Sequence, residues 1–232
     1  EFRRVLFRSR GFLVKDVPYD PFKDFTPVFH TFDAVSTIVG HPAAPGTLAE
    51  MIDFARQNPG KISYGTTGTG SAYHLAGELI QLVTGVKLLH VPYKAGPQSI
   101  TDLVAGRIDT AFSVYATTRP FVESGKARSI AVLNNSRFAA IPDVPTVGEI
   151  IPGFQSPPLW GGYFGPAGLP QPIVQRLNAE MNRAIALPDV RELMERGGLA
   201  PAGGPVAQFA ATIRSDVERL QRIVKAAGIV PE

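Results

Sequence analysis

The chain has 232 residues, 44% hydrophobic and 19% charged, with a net charge of +3; this predicts one or two domains with ample material for a core. So slight a positive balance, with no basic stripe interleaved with aromatics, does not describe a nucleic-acid binder, although it favours anionic ligands by steering. There is no cysteine, which excludes disulfides, thiol catalysis and thiolate metal sites, and no stretch approaches the roughly 20 apolar residues of a membrane helix.

Glu1 to Arg10 is basic but lacks an apolar h-region and a cleavage site, so no secretory signal is read there. EFRRVLFRS reads as a foreign leader, with a basic first strand as the alternative. Val35–Gly40 is apolar and β-branched and predicts a strand. Thr47 opens a helix with Glu50 three residues on as a capping box, and Leu48, Met51, Ile52 and Ala55 form its buried stripe. Pro59-Gly60 closes that region. Lys61–Tyr64 predicts a short strand, then a Gly-rich loop, then a helix over Ser71–Thr84 closed by Gly85, with Leu75, Leu79, Leu82 and Val83 inward. Lys87–Val91 is the next strand. Pro97 suits a helix first turn, with Ile100, Leu103 and Val104 inward and Gly106 as terminator. Ile108–Phe112 reads as a strand, Pro120–Ser124 as a short helix and Ser129–Leu133 as a strand. Residues 134–155 are mostly loop with a helical turn around Thr146–Ile150, and Trp160–Gly165 is a strand.

Three helices close the chain. The first carries Ile173, Leu177, Met181 and Ile185 inward, and the second runs from Asp189 to Arg196. The third spans Val206–Ala227, with Phe209, Ile213, Val217, Leu220 and Val224 inward and Gly228 as its stop. Strands alternating with helices predict an α/β fold with a mainly parallel sheet. The closing helices have few strands of their own and are expected to cover a sheet formed elsewhere in the chain.

The most informative segment runs from Gly65 through Thr66, Thr67, Gly68, Thr69, Gly70, Ser71 and Ala72 to His74. It follows a strand and opens a helix, where free N–H groups and the positive dipole end favour an anion. Gly65 and Gly70 have Walker A spacing, but Ser71 stands where the lysine must be, and the dinucleotide pattern fails at Tyr73. A tight strand–helix turn with Ser71 merely capping the helix remains open. Ser71 and His74 could meet on one helix face, but a hydrolase would also need an acid and an oxyanion hole. Nothing in the spacing assigns Asp102 or Asp109 to that role, and no G-x-S-x-G elbow exists.

A second candidate is His90-Val91-Pro92-Tyr93-Lys94-Ala95-Gly96 at a strand end, where open α/β sheets bind ligands. A third is Ser113, also at a strand end. A solvated loop and an ordinary edge residue are their plain alternatives. The four histidines show no metal spacing, so neither a metal nor a cofactor is expected.

Tyr19-Asp20-Pro21-Phe22-Lys23-Asp24-Phe25-Thr26-Pro27-Val28 resembles a segment of the tripartite tricarboxylate transporter substrate-binding proteins, the Bug or TctC family. Asn58-Pro59-Gly60-Lys61, Gly68-Thr69-Gly70-Ser71-Ala72, His74-Leu75-Ala76-Gly77-Glu78, His90-Val91-Pro92-Tyr93-Lys94 and Asp102-Leu103-Val104-Ala105-Gly106 continue it in order. So do Pro142-Asp143-Val144-Pro145-Thr146, Gly165-Pro166-Ala167-Gly168 and Ala226-Ala227-Gly228-Ile229.

The resemblance implies a two-lobe periplasmic-binding-protein-like fold with a central cleft. One lobe would comprise residues 1–32 and 159–232, lacking its leading part, and the other residues 33–158 with the ligand loop. It implies a monomeric periplasmic protein, not an enzyme and not itself membrane-spanning. Such a protein captures a small carboxylate (a di- or tricarboxylate, an aromatic acid or an acidic amino acid), the lobes close, and a membrane permease reads the closed form. A ligand sensor on the same fold is the alternative, and an anion-processing hydrolase a more distant one. Thr67, Gly68, Thr69, Gly70, Ser71, Ala72 and His74 are the implied ligand residues, with Tyr93, Lys94 and Ser113 beside them. Where many relatives place an aspartate, this chain has Ser113, which favours ligands with carboxylates only, or an aromatic acid.

Overall fold

The computed structural model describes residue 20, residues 23–157 and residues 159–226. The leader read over residues 1–10 and the stop read at Gly228 lie outside them. In chain order, β1 (Phe25–Ala34) leads into β2 (Ser36–Gly40), α1 (Leu48–Gln57), β3 (Ser63–Thr66), α2 (Ala72–Thr84), β4 (Leu89–Pro92) and α3 (Gly96–Val104). Then follow β5 (Thr110–Val114), α4 (Tyr115–Glu123), β6 (Arg128–Val132), α5 (Val147–Ile150), β7 (Trp160–Pro166), α6 (Gln171–Ala186), α7 (Pro188–Arg196), β8 (Leu199–Pro201) and α8 (Val206–Ala226). The chain divides into two units, Val35–Pro157 and the flanking Glu1–Ala34 with Pro158–Glu232.

The Val35–Pro157 unit is built on five strands in the order β4-β3-β5-β2-β6. β3 pairs in parallel with both β4 and β5, while β2 runs antiparallel between β5 and β6. The sheet is therefore mixed rather than mainly parallel: β2 enters before any crossover helix has formed and lies against the later strands in the opposite sense. The βαβ crossovers through α2 and α3 put the C-terminal ends of β3, β4 and β5 on one edge of the sheet, with the helix N-termini beside them.

Local sequence explains the helices. The Thr47 side chain accepts from the Glu50 amide and Glu50 reaches back to the Thr47 N–H, closing the capping box at the start of α1. Leu48, Met51, Ile52 and Ala55 are buried beneath it. Val39, Ile100, Leu103, Ile108, Ala111 and Ala127 form a core between α3 and the sheet; burying each large aliphatic side chain there contributes about 1.5–3 kcal/mol.

α2 departs from its expected inner face. Leu75 and Leu79 are buried, but Leu82 and Val83 are exposed and Tyr73, Ala76 and Ile80 are buried instead. A helix of this length is about 20 Å long against about 13 Å for the strand it covers, so its last turn overhangs the sheet. α4 begins earlier than the Pro120 start expected: Tyr115 opens it, and Pro120 lies inside.

The flanking unit has an antiparallel sheet in the order β7-β1-β8. α6 and α8 pack on β1, so the closing helices cover strands from the opposite end of the chain. Trp160, Phe209 and Ile213 are buried with Phe25 and Phe164 against them. The Trp160 indole donates to Asp216, which also pairs with Arg219, so this buried carboxylate is compensated on both sides. On α6 Ile185 is buried as expected, but at the start of the helix Val174 is buried in place of Ile173, which is exposed.

Candidate functional site

The Gly-Thr loop leaves the C-terminal end of β3 and enters α2. Gly68 (φ +108°) and Gly70 (φ +74°) take left-handed backbone, which residues with a Cβ adopt only with strain. Ser71 is the N-cap of α2, its hydroxyl accepting from the His74 amide. The turn is closed by Ser71 N–H donating to the Gly68 carbonyl at 3.2 Å.

Several loop amides are thus already committed. Gly68 N–H donates to Thr66 Oγ1 at 3.3 Å and Gly70 N–H to His74 Nδ1 at 3.0 Å. The amides of Thr67, Thr69 and Ala72 take no intramolecular hydrogen bond among the described residues. Thr69 is exposed, while Thr67, Gly68, Gly70, Ser71 and Ala72 are half-buried.

His74 is buried and faces the loop backbone rather than solvent. Its Nδ1 accepts from Gly70, which puts the ring proton of the neutral form on Nε2, 3.6 Å from Glu78 Oε1. That separation is a charge contact rather than a hydrogen bond. Glu78 is itself held by the Tyr64 hydroxyl at 2.9 Å and the Gln81 amide at 2.8 Å. The His74 ring stacks on His90 at 4.1 Å between centroids, and His90 Nε2 lies 2.7 Å from Thr66 Oγ1. Burial depresses both imidazoles. His90, lowered further by His74, falls to about 4, and His74 falls in spite of the Glu78 carboxylate.

Neither imidazole nitrogen of His74 meets the Ser71 hydroxyl, which is spent on the helix cap, so the serine has no base. Asp109 is committed elsewhere, accepting from Ser63 N–H and Oγ at 2.8 and 2.6 Å at the other end of the strands. Asp102 accepts from the Tyr93 hydroxyl at 2.8 Å and pairs with Arg107 at 2.8 Å. Burial and the bond to Asp102 push the Tyr93 phenol up to about 12, so Tyr93 is a neutral donor already turned toward Asp102. Lys94 is exposed and forms no ion pair among the described residues.

Ser113 is buried at the end of β5. A Cβ placed on Gly96 would lie 3.1 Å from its hydroxyl and 3.7 Å from Thr67 Cγ2. The start of α3 therefore sits between Thr67 and Ser113. Its N-cap is Ala95, which supplies no side-chain hydrogen bond, so the first amides of α3 lack a side-chain cap beside the loop. Thr67, Ser113 and the starts of α2 and α3 come together on one edge of the sheet. His74, His90 and Thr66 lie beneath the loop, the Tyr93 hydroxyl is bonded to Asp102, and Lys94 is exposed. Thr66, Ala95 and Gly96 lie in the segments the sequence singles out but receive no role there, because the last two act through backbone alone; Glu78, which looks like any polar helix residue, is given no part in the site by sequence reading.

The family model described as "Tripartite tricarboxylate transporter family receptor" matches residues 5–229. A UPF0065 protein from the tcbD-tcbE intergenic region of Pseudomonas sp. strain P51 is 36% identical over 229 residues, 95% of this chain and 68% of that protein. Among solved structures, a Rhodopseudomonas palustris protein with adipate is 29% identical at a TM-score of 0.87, covering 97% of this chain and 76% of that one. MatC from the same species, with bound malate, is 26% identical at a TM-score of 0.79, covering 94% and 76%.

Proposed function

The chain belongs to the tripartite tricarboxylate transporter receptor family, and from that premise we propose that it captures a small carboxylate in the periplasm and presents it to a membrane permease. Adipate and malate, the acids found with its relatives, define the class: a short chain ending in carboxylates. The observation that carries the reading is the edge formed by the Gly-Thr loop and the start of α3. The uncommitted amides of Thr67, Thr69 and Ala72, with the hydroxyls of Thr67, Thr69 and Ser113, are donors only, or can be. A carboxylate accepts from such a set, and the two helix dipoles favour its charge. Gly68 and Gly70 shape the loop, Ser71 caps the helix beneath it, and His74 backs it. Tyr93 and Lys94 serve as outlying contacts. The two units are the proposed lobes, divided at residues 34/35 and 157/158.

Ser113 carries no charge, so this edge has no fixed anion to receive a ligand's ammonium group. Aspartate and glutamate are therefore expected to bind more weakly than malate, adipate, citrate or benzoate. A thermal-shift and calorimetric screen of these six acids tests both statements. A ligand at about one hundred times its Kd stabilises the protein by about 2.7 kcal/mol through mass action. Thr69→Ala combined with Ser71→Ala should reduce the shift, with the melting point of the ligand-free variant subtracted because loss of the cap itself costs about 1 kcal/mol. No shift with any of the acids, or tighter binding of the amino acids, would contradict the proposal.

A further inference from the structure

The two stacked histidines beneath the loop each fasten one half of it. His90 meets Thr66 Oγ1 at 2.7 Å, and that hydroxyl receives the Gly68 amide. His74 Nδ1 receives the Gly70 amide at 3.0 Å. We propose that His74 is a positioning residue: its neutral ring, set in one tautomer by the Gly70 amide it accepts from, holds the Gly-Thr loop in its binding shape, and proton uptake opens the loop and releases the bound acid. This inference rests on the reading that the loop takes the carboxylate.

The geometry dictates the direction of the switch. A proton added to His74 lands on Nδ1, the nitrogen that accepts from Gly70, so the acceptor becomes a donor facing another donor. The Gly70 bond cannot survive that change. The groups facing His74 are Glu78 from its own helix, His90 from β4, and the Tyr64 hydroxyl from β3, which shares Glu78. Glu78 favours the imidazolium, but His90, stacked at 4.1 Å, cannot be charged with it without repulsion. Burial keeps both rings neutral at neutral pH. A receptor so built holds its cargo above the histidine range and lets go below it.

Nitrogen–proton correlation NMR of the ligand-free chain between about pH 8 and about pH 4.5 tests the loop bond directly. The Gly70 amide resonance is expected to move with the ring protons of one histidine, with a midpoint below the ordinary histidine value, and that titration should vanish in His74→Asn. A Gly70 amide indifferent to the histidine titration would overturn the inference. Release is read separately, from adipate and malate affinities of both proteins. The ligand's own protonation is common to both and cancels in their ratio. The wild-type advantage over His74→Asn should shrink by about tenfold across a one-unit fall in pH below the His74 midpoint; an unchanged ratio refutes the release step. If Gly70 and His74 titrate together but neither acid binds at any pH, the loop bond stands and it is the assignment of the ligand that fails.

Discussion

His90 shows how one side chain ties stability to pH. Its imidazole is half-buried between Tyr64 and His74, and its pKa falls from 6.5 to about 4 in the folded chain. The unfolded chain therefore takes up a proton before the folded one does. Stability is complete above about pH 6.5 and declines as the pH falls toward about 4. The whole shift would correspond to about 3 kcal/mol, which partial exposure and solvent screening reduce to about 1–2 kcal/mol. Urea denaturation at neutral pH and near pH 4 should show a larger loss for the wild type than for His90→Asn, whose other carboxylates titrate alike. Equal losses would remove His90 from the account. The sequence placed His74 at the Gly-Thr loop and His90 in a separate strand-end segment, but not against each other. Stacking depends on β4 lying beside β3, and no spacing within either segment encodes that pairing.

At the scale of elements, α2 meets β3 through an absence. Gly77 lies mid-helix, where alanine would ordinarily be preferred by about 1 kcal/mol. A Cβ there would land on the ring of Tyr64, 2.6 Å from Cζ and 2.8 Å from the hydroxyl oxygen. Tyr64 is fully buried and tethered to Glu78, so its ring has nowhere to swing. Overpacking of this kind costs about 1–3 kcal/mol, which outweighs the helix preference. Gly77→Ala should therefore destabilise the protein in denaturant titration, and because Tyr64 and Glu78 also back His74, it should weaken adipate binding as well. A more stable variant would mean that α2 stands further from the sheet than described.

Elements with strong local signals were legible: the Thr47 box, the Gly85 stop and most of the stripe of α8 each follow from neighbours in sequence, although at its end Ile223 is buried and the expected Val224 only half-buried. β1 was not, because Pro27 and two bulges, between Pro27 and Phe29 and between His30 and Phe32, break its alternation. β8 is only three residues and owes its existence to β1. α4 was read as starting at Pro120 because proline ordinarily opens helices, yet here it sits inside one, after the turn begun at Tyr115.

For the whole molecule, the order of pairing matters more than any element. Every strand partner of β2 to β6 lies within Val35–Pro157, whereas β1 finds its partners only beyond residue 158. The Ala34 amide donates to the Leu159 carbonyl at 2.5 Å, so the flanking unit fastens its own two strands where the intervening segment leaves and returns. Composition does not mark this division, since β1 runs into β2 with Val35 alone between them. A continuous segment whose sheet closes on itself carries its own core, and nearby ends tolerate excision. Residues 35–157 expressed alone should therefore unfold in urea as one cooperative transition with mixed helix and strand by circular dichroism. The flanking unit cannot be obtained by a single truncation, because removing either end takes away β1 or its partners. A broad, non-cooperative loss of signal from residues 35–157 would show that the five-stranded sheet depends on the rest of the chain for its stability, and that the two units fold as one.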